Sequence, residues 1–356
     1  MNNRNKGRWG PASASGNGAI ATLLVQAVGK DVKNIKLGDR VAGYAFAGNG
    51  AFQEYTLLTN GGIVTLASRT TFIEGAVLPM AVATSGVAIF LRMGIPWGPR
   101  LSPQKGISLV HGASSSVGSA AVQLAKILGF EVFATAGDKN REYVKKLGAS
   151  EVWDHQDAAL VEKIVNAAAG RVIKYGFAAA SMGGASQVVA RVLLAANSGG
   201  EWKARLCVTT PWDEKEAVPQ GIELTQTRAS AAVTENNEFG VWLFNEFLKE
   251  KLENGEYVPS PEIEIIEGGL EKGVFYSIPA TAASTSPQPP TQLQTLCQAP
   301  SRQNRKLNLH LIAVACLEAE LGPGALDVNL EDMGAVGVDA DGGEGDYLAE
   351  DGDEDA

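Results

Sequence analysis

Hydrophobic positions change their spacing several times along this 356-residue chain, and each change predicts a different kind of structure. Residues 1–18 are small and polar, without an apolar run, and are expected to be disordered. From Ala19 to about Leu66 the pattern is that of short strands. Residues 20–29 form a β-type apolar run, residues 36–46 carry a Gly-Asp turn before a strand, and residues 50–58 alternate with period two. Short strands between Gly-rich turns predict part of a barrel-like β domain.

Between Phe72 and Met93 the chain is apolar nearly all round, which predicts a buried helix interrupted near Pro79. From Gly106 strands and helices alternate. The strands are expected at 107–111, 131–136, 151–154, 172–178 and 205–209, with helices at 117–128, 140–147, 158–168 and 186–196. Alternation at this spacing is the mark of an α/β chain with a parallel, doubly wound sheet. Residues 237–254 then place Phe239, Trp242, Leu243, Phe247 and Leu248 near helical spacing, with Gly255 as a stop. Residues 261–266 read as a short strand. From Pro279 the composition turns to Pro, Ser, Thr and Gln, then to Gly, Asp and Glu. Such sequence buries too little apolar surface to offset its ordering entropy, so 280–356 is expected to be a disordered acidic tail. Its one apolar stretch, 307–317, is expected to be a short helix or an accidental patch.

Charge changes the picture only by its location. The net charge of −10 comes from the tail: 14 of the 40 acidic residues follow Lys306, and no basic residue does. The first 306 residues carry 30 basic against 26 acidic side chains, a mildly basic body. No Lys/Arg cluster is interleaved with aromatics, so nucleic-acid binding has no support. No uninterrupted apolar stretch is long enough for a membrane span, and the N-terminus lacks the apolar core of a secretory signal. The three cysteines, Cys207, Cys297 and Cys316, form no CxxC pair, which predicts a reduced, cytoplasmic setting.

Most of the chemistry lies in residues 107–140. A strand ends at His111, a Gly/Ala/Ser turn follows, and a helix opens near Val117. Unpaired N–H groups and the positive end of the helix dipole suit a pyrophosphate there, provided the turn is free of bulk. Gly118 takes the place of the last glycine of a GxGxxG fingerprint, while Ala113 and Ser115 replace the first two. The hydroxyls of Ser114, Ser115 and Ser116 are candidate donors to phosphate oxygens. The alternative is an ordinary strand-to-helix turn capped by serine. An NAD site carries an acidic residue at the tip of the second strand, about 20 residues on. Here that strand ends in Thr135, Ala136 and Gly137; Asp138 is expected to cap the next helix, and Lys139 and Arg141 follow. Cations without a carboxylate favour NADPH and its 2′-phosphate.

Other chemistries find less. The three histidines, His111, His155 and His310, have no cysteine at zinc-ligand spacing, so no metal site is expected. The run GASSSVG is not the GxSxG elbow of a serine hydrolase.

Residues 28–44, 50–58, 74–94, 110–155 and 247–272, in that order, resemble the medium-chain dehydrogenase/reductase superfamily. The likeness is to its zinc-free quinone oxidoreductase and fungal trans-enoyl reductase branch. The resemblance implies a Rossmann domain (84–235) set between a partial GroES-like β-barrel domain (19–83) and a segment returning to it (236–279). It implies hydride transfer from NADPH to an activated C=C, quinone or carbonyl compound, without a metal, in secondary metabolism. It places Thr84 beside the nicotinamide and Tyr44 with it as the catalytic pair. Ser114, Ser115, Ser116, Val117 and Gly118 line the pyrophosphate, Ala136, Lys139 and Asn140 surround the 2′-phosphate, and Thr209 approaches the nicotinamide. A small-molecule partner and a monomer or homodimer are implied as well. Two departures accompany the likeness: the family's sequence begins well before the match to Ala19, and it closes with a helix and strand after the match to Lys272. The aspartate often found near Ala179 is also absent. These departures favour, as the alternative, a truncated NADPH-binding remnant with a regulatory or interaction role.

Overall fold

Alternation along β1 (Ala19–Val28) buries Ala21, Leu23 and Val25 and turns Leu24 and Gln26 outward. That period of two is what a half-covered strand requires. β2 (Arg40–Ala45), β3 (Tyr55–Thr59), β4 (Ile63–Thr65) and a distant β11 (Leu311–Ala315) complete an antiparallel sheet in the order β3-β11-β1-β2-β4. The computed structural model describes residues 19–45, 51, 55–181, 183–197, 203–263 and 311–315. All of these belong to one unit, Met1–Leu317; a second, Glu318–Ala356, lies outside the described residues.

The Gly-Asp turn before β2 is present, with Gly38 at φ 80° and the Asp39 carboxylate accepting from the Lys36 N–H at 3.0 Å. The break near Pro79 is present too. α1 (Phe72–Ala76) opens with a capping box between Thr71 and Glu74, and α2 (Pro79–Gly86) restarts with proline in its first turn. A wider π-type turn, Val87–Arg92, extends α2. Residues 72–92 are long and apolar enough to cross a bilayer, but 67% of the apolar window is buried against the rest of the chain.

The second sheet is parallel and six-stranded, in the order β10-β9-β8-β5-β6-β7. Its strands are β5 (Ile107–His111), β6 (Glu131–Thr135), β7 (Glu151–Trp153), β8 (Ile173–Ala178), β9 (Ala204–Val208) and β10 (Ile222–Gln226). Between them run α3 (Ser116–Ile127), α4 (Arg141–Leu147), α5 (Leu160–Ala168) and α6 (Ala185–Ala196). Strand order reverses between β5 and β8, and ligands of open parallel sheets bind at the carboxyl ends of the strands beside that reversal. Every residue of β5 is buried, as befits the central strand. The sixth strand, β10, was not foreseen; its half-exposed edge position hides the apolar pattern.

After the short α7 (Ala231–Thr234), a helical run of α8 (Asn237–Val241), a π-type segment and α9 (Lys249–Asn254) ends at Gly255, φ 82°. Its aromatic face meets α2's extension: the Phe90 ring stands edge-on to Trp242 at 5.1 Å and to Phe247 at 6.1 Å. Burying each such side chain is worth about 1.5–3 kcal/mol.

Two expectations need correction. Residues 311–315 are neither helix nor stray patch but a strand, antiparallel to both β1 and β3. Two facing edges with unpaired backbone groups select an apolar extended segment there. Pro261, Glu262 and Ile263 form no strand, and the rest of 261–266 lies outside the described residues. So do 1–18, 280–310 and 316–356, where disorder was expected.

Candidate dinucleotide site

β5 delivers the chain to the sheet's carboxyl edge, and Gly112 turns it at φ 75°. A side chain there would meet the Ala180 Cβ at 2.6 Å. At Gly118 a Cβ would collide with the Gly112 carbonyl oxygen and lie 2.8 Å from the Ala113 Cα. The turn is therefore closed by glycine at both ends, with Gly112, not the Ala113 position, making the tight bend. Ser115 is the N-cap of α3: its hydroxyl accepts from the Gly118 N–H at 3.0 Å and donates to the Gly112 carbonyl at 2.8 Å. This corrects its assignment as a phosphate donor, because that hydroxyl's proton is engaged within the turn. The amides of Ser116 and Val117 belong to the helix's first turn, where no intrahelical acceptor exists. Serine capping and an anion-ready helix end coexist here.

Contacts from below hold this turn. The Ser85 hydroxyl of α2 donates to the Val117 carbonyl at 2.7 Å, and Ser119 donates to the Ser116 carbonyl at 3.0 Å. The Gly112 N–H donates to Thr135 Oγ1 at 3.2 Å, and the same oxygen lies 2.8 Å from His111 Nδ1. Burial, with His155 nearby, lowers the His111 pKa to about 4. A neutral imidazole thus sits beneath the turn. Ser85, Thr135 and His111 escaped the sequence reading as site supports, since nothing local tells that distant strands bring them together.

β6 finishes at buried Thr135, buried Ala136 follows it, and the Ala136 N–H donates to the Trp153 carbonyl at 3.0 Å. A single 3-10 turn, Asp138–Asn140, follows. Asp138 does not cap the helix as expected; its carboxylate accepts from Arg141 at 2.7 Å. Arg141 also donates to the Val152 carbonyl at 2.9 Å, so its charge is largely engaged. Lys139 is exposed and Asn140 half-buried beside it.

Past the ends of β8 and β9, and on α2, lies a set of hydroxyls. Thr209, just past β9, donates its N–H to Ser181 Oγ at 3.0 Å, and the two hydroxyls lie 2.9 Å apart. Thr84 is nearly buried on α2; its hydroxyl donates to the Met80 carbonyl at 2.7 Å, and its carbonyl accepts from Thr227 at 2.7 Å. Tyr44 is not brought to an open cleft. Only 1% of it is exposed, its hydroxyl donates to the Ala229 carbonyl at 3.2 Å, and burial pushes its ionisation above the ordinary range. The geometry makes it a strut between β2 and the loop after β10, which corrects its assignment as a catalytic partner of Thr84.

Among the described residues no three His, Cys, Asp or Glu side chains gather as metal ligands. The donor set among the described residues does not fit zinc. Cys207 is buried in β9, and burial pushes its thiol up to about 12, so it is not a ready thiolate ligand.

Comparison with known proteins agrees with this architecture. Residues 116–202 match a family model described as zinc-binding dehydrogenase. The chain is 32% identical over 277 residues to a dehydrogenase of Monascus ruber, pigH, covering 68% of this chain and 74% of that one. It is 50% identical over 120 residues to a trans-enoyl reductase of Aspergillus terreus, tazE, covering 33% of this chain and 39% of that one. In structure it resembles Escherichia coli quinone oxidoreductase complexed with NADPH, with TM-score 0.50, 22% identity and coverage of 67% and 71%. The chain belongs to the medium-chain dehydrogenase/reductase superfamily, in its enoyl reductase-like branch, and is an oxidoreductase.

Proposed function

We propose that this protein is an NADPH-dependent reductase acting on an activated C=C, quinone or related carbonyl compound, in the cytoplasm and in fungal secondary metabolism. The observation that carries the reading is the glycine-closed turn at 112–118, whose space a methyl group would fill, beside the end of β6, which is followed by Ala136 and Gly137 rather than by a carboxylate. The residues fit a dinucleotide: Ser116 and Val117 amides for the diphosphate, Lys139 for the 2′-phosphate, Thr209 and Thr84 at the nicotinamide end. When bound, NADPH supplies hydride to the electron-poor carbon of the substrate. The chain's own task is to orient both partners and exclude water. With Tyr44 buried, the proton that completes reduction comes from solvent. The two relatives, a dehydrogenase and a trans-enoyl reductase, support the same reaction class.

Titration of NADPH and NADH by nicotinamide fluorescence, followed by NADPH consumption with an enone or quinone, tests the reading. Tighter binding of NADPH with turnover is expected. Binding without turnover favours the cofactor-binding remnant, a reading to which the buried Tyr44 lends weight; absence of binding removes both.

A further inference from the structure

Two Asn-Gly pairs lie among the described residues, Asn60-Gly61 and Asn254-Gly255, and their surroundings differ. An asparagine followed by glycine can close a five-membered ring, because the next peptide nitrogen reaches the side-chain carbonyl carbon and no Cβ stands in the way. At Asn60 the fold forbids this. Asn60 is 8% exposed, and its carboxamide exchanges two hydrogen bonds with that of Asn34, at 3.1 and 3.0 Å. Asn237 Oδ1 stands 2.5 Å from where a side chain on Gly61 would begin, so the pair has no room to move.

At Asn254 the surroundings are the opposite. Asn254 ends α9, and Asn254, Gly255 and Glu256 are all exposed. The Asn254 Oδ1 accepts from the Glu256 N–H at 2.9 Å, which folds the side chain over the Gly255 peptide and polarises its carbonyl. Nδ2 donates to the Glu256 carboxylate at 2.6 Å. Gly148 ends α4 in the same left-handed conformation and donates its N–H to the Lys145 carbonyl at 2.9 Å. The Gly255 N–H makes no such bond to α9. The Arg69 guanidinium, which donates to the Leu252 carbonyl at 3.1 Å, stands beside Gly255, so a cation lies near the peptide that must give up its proton.

We propose that Asn254-Gly255 is a site of self-modification, at which the chain converts its own carboxamide to a carboxylate. The Gly255 nitrogen bonds to the Asn254 Cγ, the Cγ–Nδ2 bond breaks, and the proton lost from the nitrogen leaves with Nδ2 as ammonia. Water then opens the cyclic imide at either carbonyl, giving aspartate or isoaspartate without any oxidant or reductant. The product carries negative charge at a helix C-terminus, beside Glu253 and Glu256, where the dipole disfavours it. Isoaspartate also lengthens the main chain between α9 and buried Tyr257, whose N–H donates to the Lys251 carbonyl at 3.0 Å. The modification loosens the segment that follows α9.

Peptide mapping by mass spectrometry, after timed incubation of the full chain at neutral pH and physiological temperature, tests this. Asn254 is expected to convert at least about tenfold faster than Asn60, whose two amide bonds must open first. In urea the two sites should react at similar rates, since the dipeptide alone then sets them. Asn254→Gln no longer closes a five-membered ring and should keep its amide. Asn254→Asp should speed proteolytic cleavage around 256–263. Conversion at Asn254 that is no faster than at Asn60, or slower in the folded chain than in urea, overturns the proposal. Unchanged cleavage of Asn254→Asp overturns the loosening it predicts.

Discussion

Gly118 has no room for even a methyl group, because the first turn of α3 presses on the Gly112 carbonyl and the Ala113 Cα. Gly118→Ala should therefore cost about 1–3 kcal/mol of stability as overpacking. It should also weaken dinucleotide binding by widening the turn; a variant with unchanged melting temperature and affinity would contradict the close approach. His111 adds a pH effect at the same scale. Burial, and then the neighbouring His155, lower its pKa to about 4 in the folded protein, below the ordinary histidine value of 6.5. Because the folded value is depressed, the unfolded chain takes up a proton that the native state refuses. The associated stability is complete above about pH 6.5 and is lost as pH falls toward about 4, a loss of up to about 3 kcal/mol. Denaturant melts across that window read it, and His111→Asn should make the acid limb shallower.

At the scale of elements, the segment after α9 is docked on α3 by the buried Gln123 amide, with the Ser260 hydroxyl also donating to Ser119 Oγ at 3.2 Å. Gln123 accepts from the Val258 N–H at 2.9 Å and donates to the Val258 carbonyl at 3.1 Å and Ser260 Oγ at 3.0 Å. It treats that segment as a strand partner would. Gln123→Leu leaves both backbone groups of Val258 without this partner and should destabilise the protein by about 1–3 kcal/mol for each group that stays buried. Limited proteolysis should then cut faster around 256–263. Unchanged cleavage and stability would show that the dock does not depend on Gln123. The ion pair of Arg92 with Glu235 at 2.6 Å is partly exposed and contributes little by comparison.

At the scale of the whole molecule, β11 is the far end of the chain closing a sheet begun at the near end. Deleting 307–356 removes a strand from between β1 and β3 and leaves two open edges. Lower melting temperature and more light scattering should follow. Deleting only 318–356 keeps the strand and removes 14 acidic residues, so the melting temperature should hold while the isoelectric point rises. Equal behaviour of the two truncations would mean that the strand adds nothing to the fold.

What the sequence determined by itself is local. Hydrophobic period is set by backbone geometry, so the switch from two to 3.6 placed β5, α3, β6 and α4 within a residue or so of their ends. Small residues between His111 and Gly118 announced a turn that a diphosphate can approach, and the missing carboxylate after β6 was equally visible. What only the tertiary structure decided is adjacency. Nothing in the pattern of residues 79–92 says that Ser85 will hold the Val117 carbonyl, or that His155 will lie over Gly137. The burial of Tyr44 against Ala229 and the capture of 311–315 by β1 and β3 are of the same kind. Such contacts join residues tens to hundreds of positions apart, and their energy exists only once the packed core has chosen which surfaces meet.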